Sequence, residues 1–224
     1  MLLLPTWNNM DFIQINKALF DGFLMTIKLF IITFILAIPL GGIFCFLRTK
    51  KNFLVSNFMK FLIYIIRSTP LMLQIIIFFY VPGLIFNTPV KSRFIIVICA
   101  FSLNYGIYFS EIFRSGLENI PNGQSLAAKS LGLNKREIFF KVYLKQLIKN
   151  VLPPLSNETI SLVKDTALAR IISVTEVLYA AQKIVATYAI IWVLFYSAIF
   201  YLIFNGIVTF VYHILEQKLK YIEV

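Results

Sequence analysis

Long apolar runs alternate with short polar joints along this chain, and the length of the runs sets the fold class. A spanning helix needs about 20 mostly apolar residues. Phe23 to Leu47 meets that length, broken only by Lys28 near its start and by Pro39-Leu40-Gly41-Gly42. Such breakers are tolerated in a bundle, where neighbouring helices satisfy the freed backbone groups. Leu71 to Phe86 predicts a second span, preceded by Phe61 to Ile66, which either lengthens it or lies along the surface. Phe94 to Phe109, continuing to Phe113, predicts the third. The fourth, Leu155 to Val174, is interrupted by Glu158, Lys164, Asp165 and Arg170, and the fifth runs from Tyr188 to Leu215. Ahead of them, Met10 to Asp21 sets Phe12, Ile13, Ile15, Leu19 and Phe20 among polar residues. That pattern fits a short amphipathic helix in the membrane interface, or an extension of the first span. The expectation is an all-α integral membrane protein of about five transmembrane helices.

Composition agrees. The 224 residues are 59% hydrophobic and 14% charged, with a mean hydropathy of +0.83. Soluble domains carry about 25% charged residues, so this chain has too little polar surface for a water-facing globule. Its length fits one domain, residues 1–224, with a membrane core over 18–215 and a cytoplasmic loop over 115–150. The formal net charge is +11. The basic residues sit between apolar runs, which assigns them to topology and to anionic membrane lipids rather than to nucleic acid. Five spans place the termini on opposite faces. With the N-terminus outside, 14 of the 21 Lys and Arg fall inside, 5 outside and 2 within spans. The positive-inside bias therefore predicts an external N-terminus and a cytoplasmic C-terminus. Cys45 and Cys99 lie inside apolar runs without ligand spacing, and His213 is the one histidine, so neither a metal site nor a cofactor is indicated. No internal repeat marks an inverted-repeat carrier. Five helices are few to enclose a solute path, so a second copy or a partner is expected.

The longest polar stretch, Arg114 to Asn150, has an ordered pattern. Pro121-Asn122-Gly123 is turn chemistry, with Asn122 a candidate cap. Gln124 to Leu131 holds good helix formers and then meets Gly132, the residue favoured just past a helix end. Asn134 and Glu137 have capping-box spacing. A longer amphipathic helix then carries Ile138, Phe139, Val142, Tyr143, Leu147 and Ile148 up to Pro153-Pro154. Small Ala127 and Ala128 allow the short helix to seat closely in a groove of another protein. The glycine corner would turn a push on that helix into a tilt of the bundle. A plain interfacial hairpin is the alternative.

Ionisable groups at the bilayer centre cost about 2.5–3.5 kcal/mol each on insertion scales, so each needs a partner or a pathway. Glu158, Ser161 and Asp165 stand at i, i+3 and i+7, on one helix face. Asp165 and Lys164 complement the two charges of a zwitterion, or else satisfy neighbours at a helix break. Asn104 and Tyr108, at i and i+4, either face the path or bond between helices. Glu111, Arg114 and Glu118 have the spacing of a local ion network. Ser68-Thr69-Pro70 reads as a helix start.

Several fragments, taken in order, resemble the permease subunits of ATP-binding-cassette importers, in the branch for polar amino acid uptake. Gly123-Gln124, Ala127-Ala128 and Leu131-Gly132-Leu133 are similar to the loop signature in which Glu-Ala-Ala precedes a Gly at fixed distance. Arg67-Ser68-Thr69-Pro70-Leu71 is similar to Arg-Gly-Thr-Pro-Leu. Leu103-Asn104, then Glu111-Ile112-Phe113-Arg114-Ser115-Gly116, resembles Leu-Asn followed by Glu-Ile-Phe-Arg-Gly-Gly. Ile120 to Gln124 resembles Val-Pro-Lys-Gly-Gln, and Lys164-Asp165-Thr166-Ala167-Leu168 resembles Lys-Asp-Thr-Ser-Leu. Leu126 departs from the signature Glu, and Lys145 stands near a usual Pro.

The resemblance implies the type I importer permease fold in the bacterial inner membrane. It implies a coupling loop built on Gly123, Gln124, Ala127, Ala128, Leu131 and Gly132. A path past Asn104, Tyr108, Glu158, Ser161, Lys164, Asp165 and Thr166 is the matching expectation. The implied partners are ATPase subunits, an extracytoplasmic solute-binding protein and a second permease copy. No Gly-x-x-x-x-Gly-Lys-Ser/Thr phosphate loop occurs, so hydrolysis belongs to a partner rather than to this chain. The rival readings are a self-sufficient channel or carrier, an intramembrane enzyme and a membrane scaffold.

Overall fold

The computed structural model describes residues 10–88 and 90–220, which are overwhelmingly helical. Helix α1 spans Phe12–Thr49, α2 Phe53–Ser68, α3 Leu71–Phe86 and α4 Arg93–Glu118. The loop that follows holds α5, Asn122–Ser130, and α6, Lys135–Ile138. A π-helical turn, Phe139–Tyr143, leads into α7, Leu144–Asp165, which runs on into a 3-10 turn, Thr166–Ile172. Helices α8, Val177–Tyr188, and α9, Trp192–Lys220, complete the chain.

Among the described residues, Phe12–Thr49, Arg93–Glu118 and Trp192–Leu219 are each long and apolar enough to cross a membrane. Helices α2 and α3 qualify only as a pair, bent by 106° at the break. The bend settles the place of Phe61 to Ile66: they belong to a separate helix rather than lengthening the second span.

Three expected boundaries move. At about 1.5 Å per residue, the 38-residue α1 is about 57 Å long, well beyond a hydrocarbon core of about 30 Å. Its first turns form no separate interfacial helix, because Ile15 and Leu19 pack against Val177, Ala181 and Ile184 of α8. The segment expected as a fourth span is divided at Asp165, and α7 passes through Pro153 and Pro154 instead of stopping there. Both prolines lie on the exposed side of α7, where their rings displace no core side chain. The fifth span begins at Trp192 rather than Tyr188, since Ala189 takes a left-handed conformation at φ 56° and ends α8.

Helix α4 is the hub. Its contact with α1 is the most extensive in the molecule, and α3 and α7 also pack on it. Two glycines allow that approach. A Cβ on Gly41 would stand 2.8 Å from the Phe109 Cβ, and one on Gly106 would stand 3.0 Å from the Leu40 Cβ. Membrane helices gain no hydrophobic drive by leaving lipid, so such close backbone packing carries their association. Phe101, Tyr105 and Phe109 of α4 join Leu29 and Ala37 of α1 and Leu162 and Val163 of α7 in the main core.

Candidate functional site

The loop between α4 and α7 folds by strictly local chemistry. Helix α5 starts after Pro121, so Asn122 is its first residue and not its cap. At the far end, the Gly132 amide donates to the Lys129 carbonyl over 2.9 Å, and the Leu133 amide reaches the Ala128 carbonyl over 3.1 Å. These two bonds form a Schellman motif around Gly132, whose φ of +79° suits glycine. Two residues on, the Asn134 side chain accepts from the Glu137 amide, and the Glu137 carboxylate accepts from the Asn134 amide. The expected capping box is present. The Asn134 amide and the Lys141 ammonium hold the Glu137 carboxyl below its ordinary range.

The corner sets out a mostly uncharged face. Gly123, Ala127 and Ser130 are exposed, Leu126 is 61% exposed and Leu131 81%. Ala128 is buried on the opposite side. Gln146 of α7 donates to the Gln124 side chain, fastening α5 to the helix that re-enters the bundle. Farther up, the Asn150 side chain donates to the Gly116 carbonyl at 3.1 Å, which ties α7 to α4. The corner is thus joined to the core through α7.

Two adjoining depressions lie beside α2 and α4, the first bounded by α1 and the second by α7. One, of about 430 Å³, runs past Arg48, Lys60, Tyr64, Arg67, Tyr108 and Glu111. The other, of about 330 Å³, shares Arg67, Tyr108 and Glu111 and extends to Asn150, Pro154 and Glu158. The Arg67 guanidinium stands over the Tyr108 ring, 5.3 Å from its centre. Glu111 anchors the floor of the cleft, paired with Arg48, with Arg114 at 3.2 Å and with Arg67 at 4.0 Å. Arg114 also pairs with Glu118. The cleft therefore holds opposite charges, Arg67 and Glu158, in the same lining as the Tyr108 ring.

The residues expected along a path separate into two groups. Tyr108 and Glu158 line the cleft. Ser161 is half-buried and bonds back to the Asn157 carbonyl, and Lys164 is exposed. Asp165 accepts from the Tyr105 hydroxyl over 2.7 Å, at the point where α7 tightens into the 3-10 turn. Thr166 is fully buried and bonds to the Val163 carbonyl. Asn104 is buried and donates to the Gln74 side chain at 3.0 Å, an interhelical bond rather than a cleft contact. Arg67, Arg48 and Gln74 were absent from the expected set. An arginine two residues from a Thr-Pro break between apolar runs was the available signal for Arg67.

Known proteins resemble this chain in sequence and in fold. A putative glutamine transport system permease protein, GlnP, of Rickettsia typhi is 34% identical over 208 residues, covering 91% of this chain and 94% of its own. The L-cystine transport system permease protein TcyB of Bacillus subtilis is 36% identical, covering 88% and 85%. A crystallised amino acid ABC transporter, solved with histidines, superposes with a TM-score of 0.83 at 24% identity over 94% of this chain and 99% of its own. The fold is therefore that of ATP-binding-cassette importer permeases. Residues 34–221 match the family described as the binding-protein-dependent transport system inner membrane component, and the chain belongs to that family.

Proposed function

We propose that this chain is the membrane path of an ATP-driven importer for a polar amino acid, and that the cleft between α2, α4 and α7 receives the solute. The observation that carries the reading is that Arg67 and Glu158 line one cleft beside Tyr108. An amino acid carries a carboxylate and an ammonium, and Arg67 and Glu158 offer the complementary charges in one 330 Å³ space. Charge-assisted bonds of this kind are about twice as strong as neutral ones. The relatives named for glutamine and cystine support the substrate class. Tyr108 and Glu158 contact the solute directly in this reading; Ser161, Lys164 and Asp165 continue the path along α7. Thr166 and Asn104 support it from behind.

Helix α5 is the surface that meets an ATPase subunit. Gly123, Ala127 and Leu131 present its outward face, Gln124 fastens it to α7, and Gly132 fixes the corner angle. A second permease copy and two ATPase subunits complete the assembly, with an external binding protein delivering the solute. The N-terminus faces outward and the C-terminus the cytoplasm. Alternating access then follows from nucleotide-biased motion in the partner.

Uptake of a labelled amino acid into proteoliposomes carrying the full importer tests the solute site. Glu158→Gln and Arg67→Gln are each expected to raise KM by about tenfold, the loss of one charge-assisted bond. Unchanged KM in both variants would contradict the cleft assignment.

A further inference from the structure

The sharp corner between α2 and α3 has the appearance of a hinge, but its hydrogen bonds describe a latch. The last carbonyls of a helix lack intrahelical donors. Inside a membrane, each one left bare costs several kcal/mol. At the end of α2 the Ile66 carbonyl would ordinarily accept from the amide four residues on, and that residue is Pro70, which has no N–H. Gln74, in the first turn of α3, supplies the missing donor. Its side-chain nitrogen reaches the Ile66 carbonyl at 2.9 Å, the Thr69 hydroxyl at 3.0 Å and the Thr69 carbonyl at 3.2 Å. The Thr69 hydroxyl in turn donates to the Ile65 carbonyl at 2.9 Å.

The other end of the same amide is also engaged. The Gln74 oxygen accepts from the Asn104 side chain of α4 at 3.0 Å, and both residues are only 5% exposed. One buried side chain therefore joins the end of α2, the start of α3 and the middle of α4. Arg67 follows directly after Ile66, the carbonyl that Gln74 grips.

We infer that Gln74 is a positioning residue: it locks the α2–α3 corner onto α4 through Asn104 and so holds Arg67 over Tyr108 in the cleft. The three helices travel as one body through the transport cycle, and the corner does not flex. The link to solute affinity rests on the cleft reading given above, whereas the lock itself does not.

The test uses the full chain in lipid nanodiscs, with Cys45 and Cys99 replaced by Ala and spin labels placed pairwise at exposed positions. Phe58, Ile85 and Ile95 are each more than half exposed and lie on α2, α3 and α4. The unsubstituted latch should give narrow Phe58–Ile85 and Phe58–Ile95 distance distributions. Gln74→Leu should broaden both, and in the assembled importer should raise uptake KM about tenfold with little change in maximal rate, the signature of a displaced binding group. Asn104→Leu should leave Phe58–Ile85 narrow and broaden Phe58–Ile95. That second variant decides the matter if Gln74→Leu fails to insert. Narrow distributions in both variants would overturn the latch. Broadened distances with unchanged KM would sustain the latch and count against solute binding beside Arg67.

Discussion

Tyr105 donates its hydroxyl hydrogen to Asp165 across 2.7 Å, joining the hub helix α4 to the residue at which α7 changes from α to 3-10 geometry. The tyrosine is 2% exposed, so the carboxylate is its partner in a nearly dry place. Removing the acceptor should matter more than removing the charge. Asp165→Asn keeps an oxygen in position and should assemble normally while lowering transport. Asp165→Leu strands the hydroxyl, at a cost of about 1–3 kcal/mol. Thermal inactivation of the detergent-solubilised complex should rank the two variants in that order, and equal stability would contradict the pairing.

The contact between α1 and α4 gives a prediction with a built-in control. Gly41 and Gly42 are neighbours, yet a Cβ on Gly41 would press on Phe109 while one on Gly42 meets nothing within 4 Å. Gly41→Val should destabilise the bundle by about 1–3 kcal/mol, the usual cost of overpacking. Gly42→Val should leave it unchanged. Yield and melting temperature of the two variants compare them directly.

At the corner after α5, Gly132→Val places a β-branched residue at φ +79°, a strain of about 1–3 kcal/mol. The corner should relax into another angle while the exposed face of α5 survives. Uptake per ATP hydrolysed should fall although the ATPase still co-purifies with the chain. A normal transport-to-hydrolysis ratio would deny the corner its part in coupling.

The capping box carries a pH dependence. Glu137 is held as a carboxylate more firmly in the folded corner than in an open chain, whose glutamates titrate near about 4.3. A depressed pKa contributes stability above the unfolded value and loses it as pH falls through the folded one. The corner should therefore be intact at neutral pH and loosen in acid, below the ordinary glutamate range. Hydrogen exchange at Asn134, corrected for intrinsic rates, should accelerate there in the native chain. Glu137→Gln should not show the same acid dependence.

How much of this was legible in the sequence depends on the range of the interaction. The loop between α4 and α7 was readable because its determinants sit within six residues of one another: Gly132 past a helix end, and Asn134 facing Glu137. Asn122 was misplaced, since Pro121 takes the cap position, and the expected longer helix is interrupted by the π-helical turn Phe139–Tyr143. Helix ends inside the bundle were less legible. Pro153 and Pro154 look like a stop, but they lie on the exposed side of α7, so the helix passes through them. The cleft was half visible. Tyr108 and Glu158 stood out as polar groups in apolar runs, but nothing local tells which polar group faces a cavity and which bonds across to another helix. Asn104 has the same spacing logic as Tyr108, yet its partner Gln74 is 30 residues away. Arg67 stands over Tyr108 of another helix, 41 positions along the chain, a relation that no local spacing encodes.

One measurement addresses the dependence of transport upon an external motor. Proteoliposomes would be prepared with this chain alone and with the chain plus its ATPase and solute-binding protein, and uptake of a labelled polar amino acid followed with and without ATP. Accumulation is expected only in the complete system with ATP, and none through the chain alone. Flux of the amino acid through the purified chain by itself would contradict it.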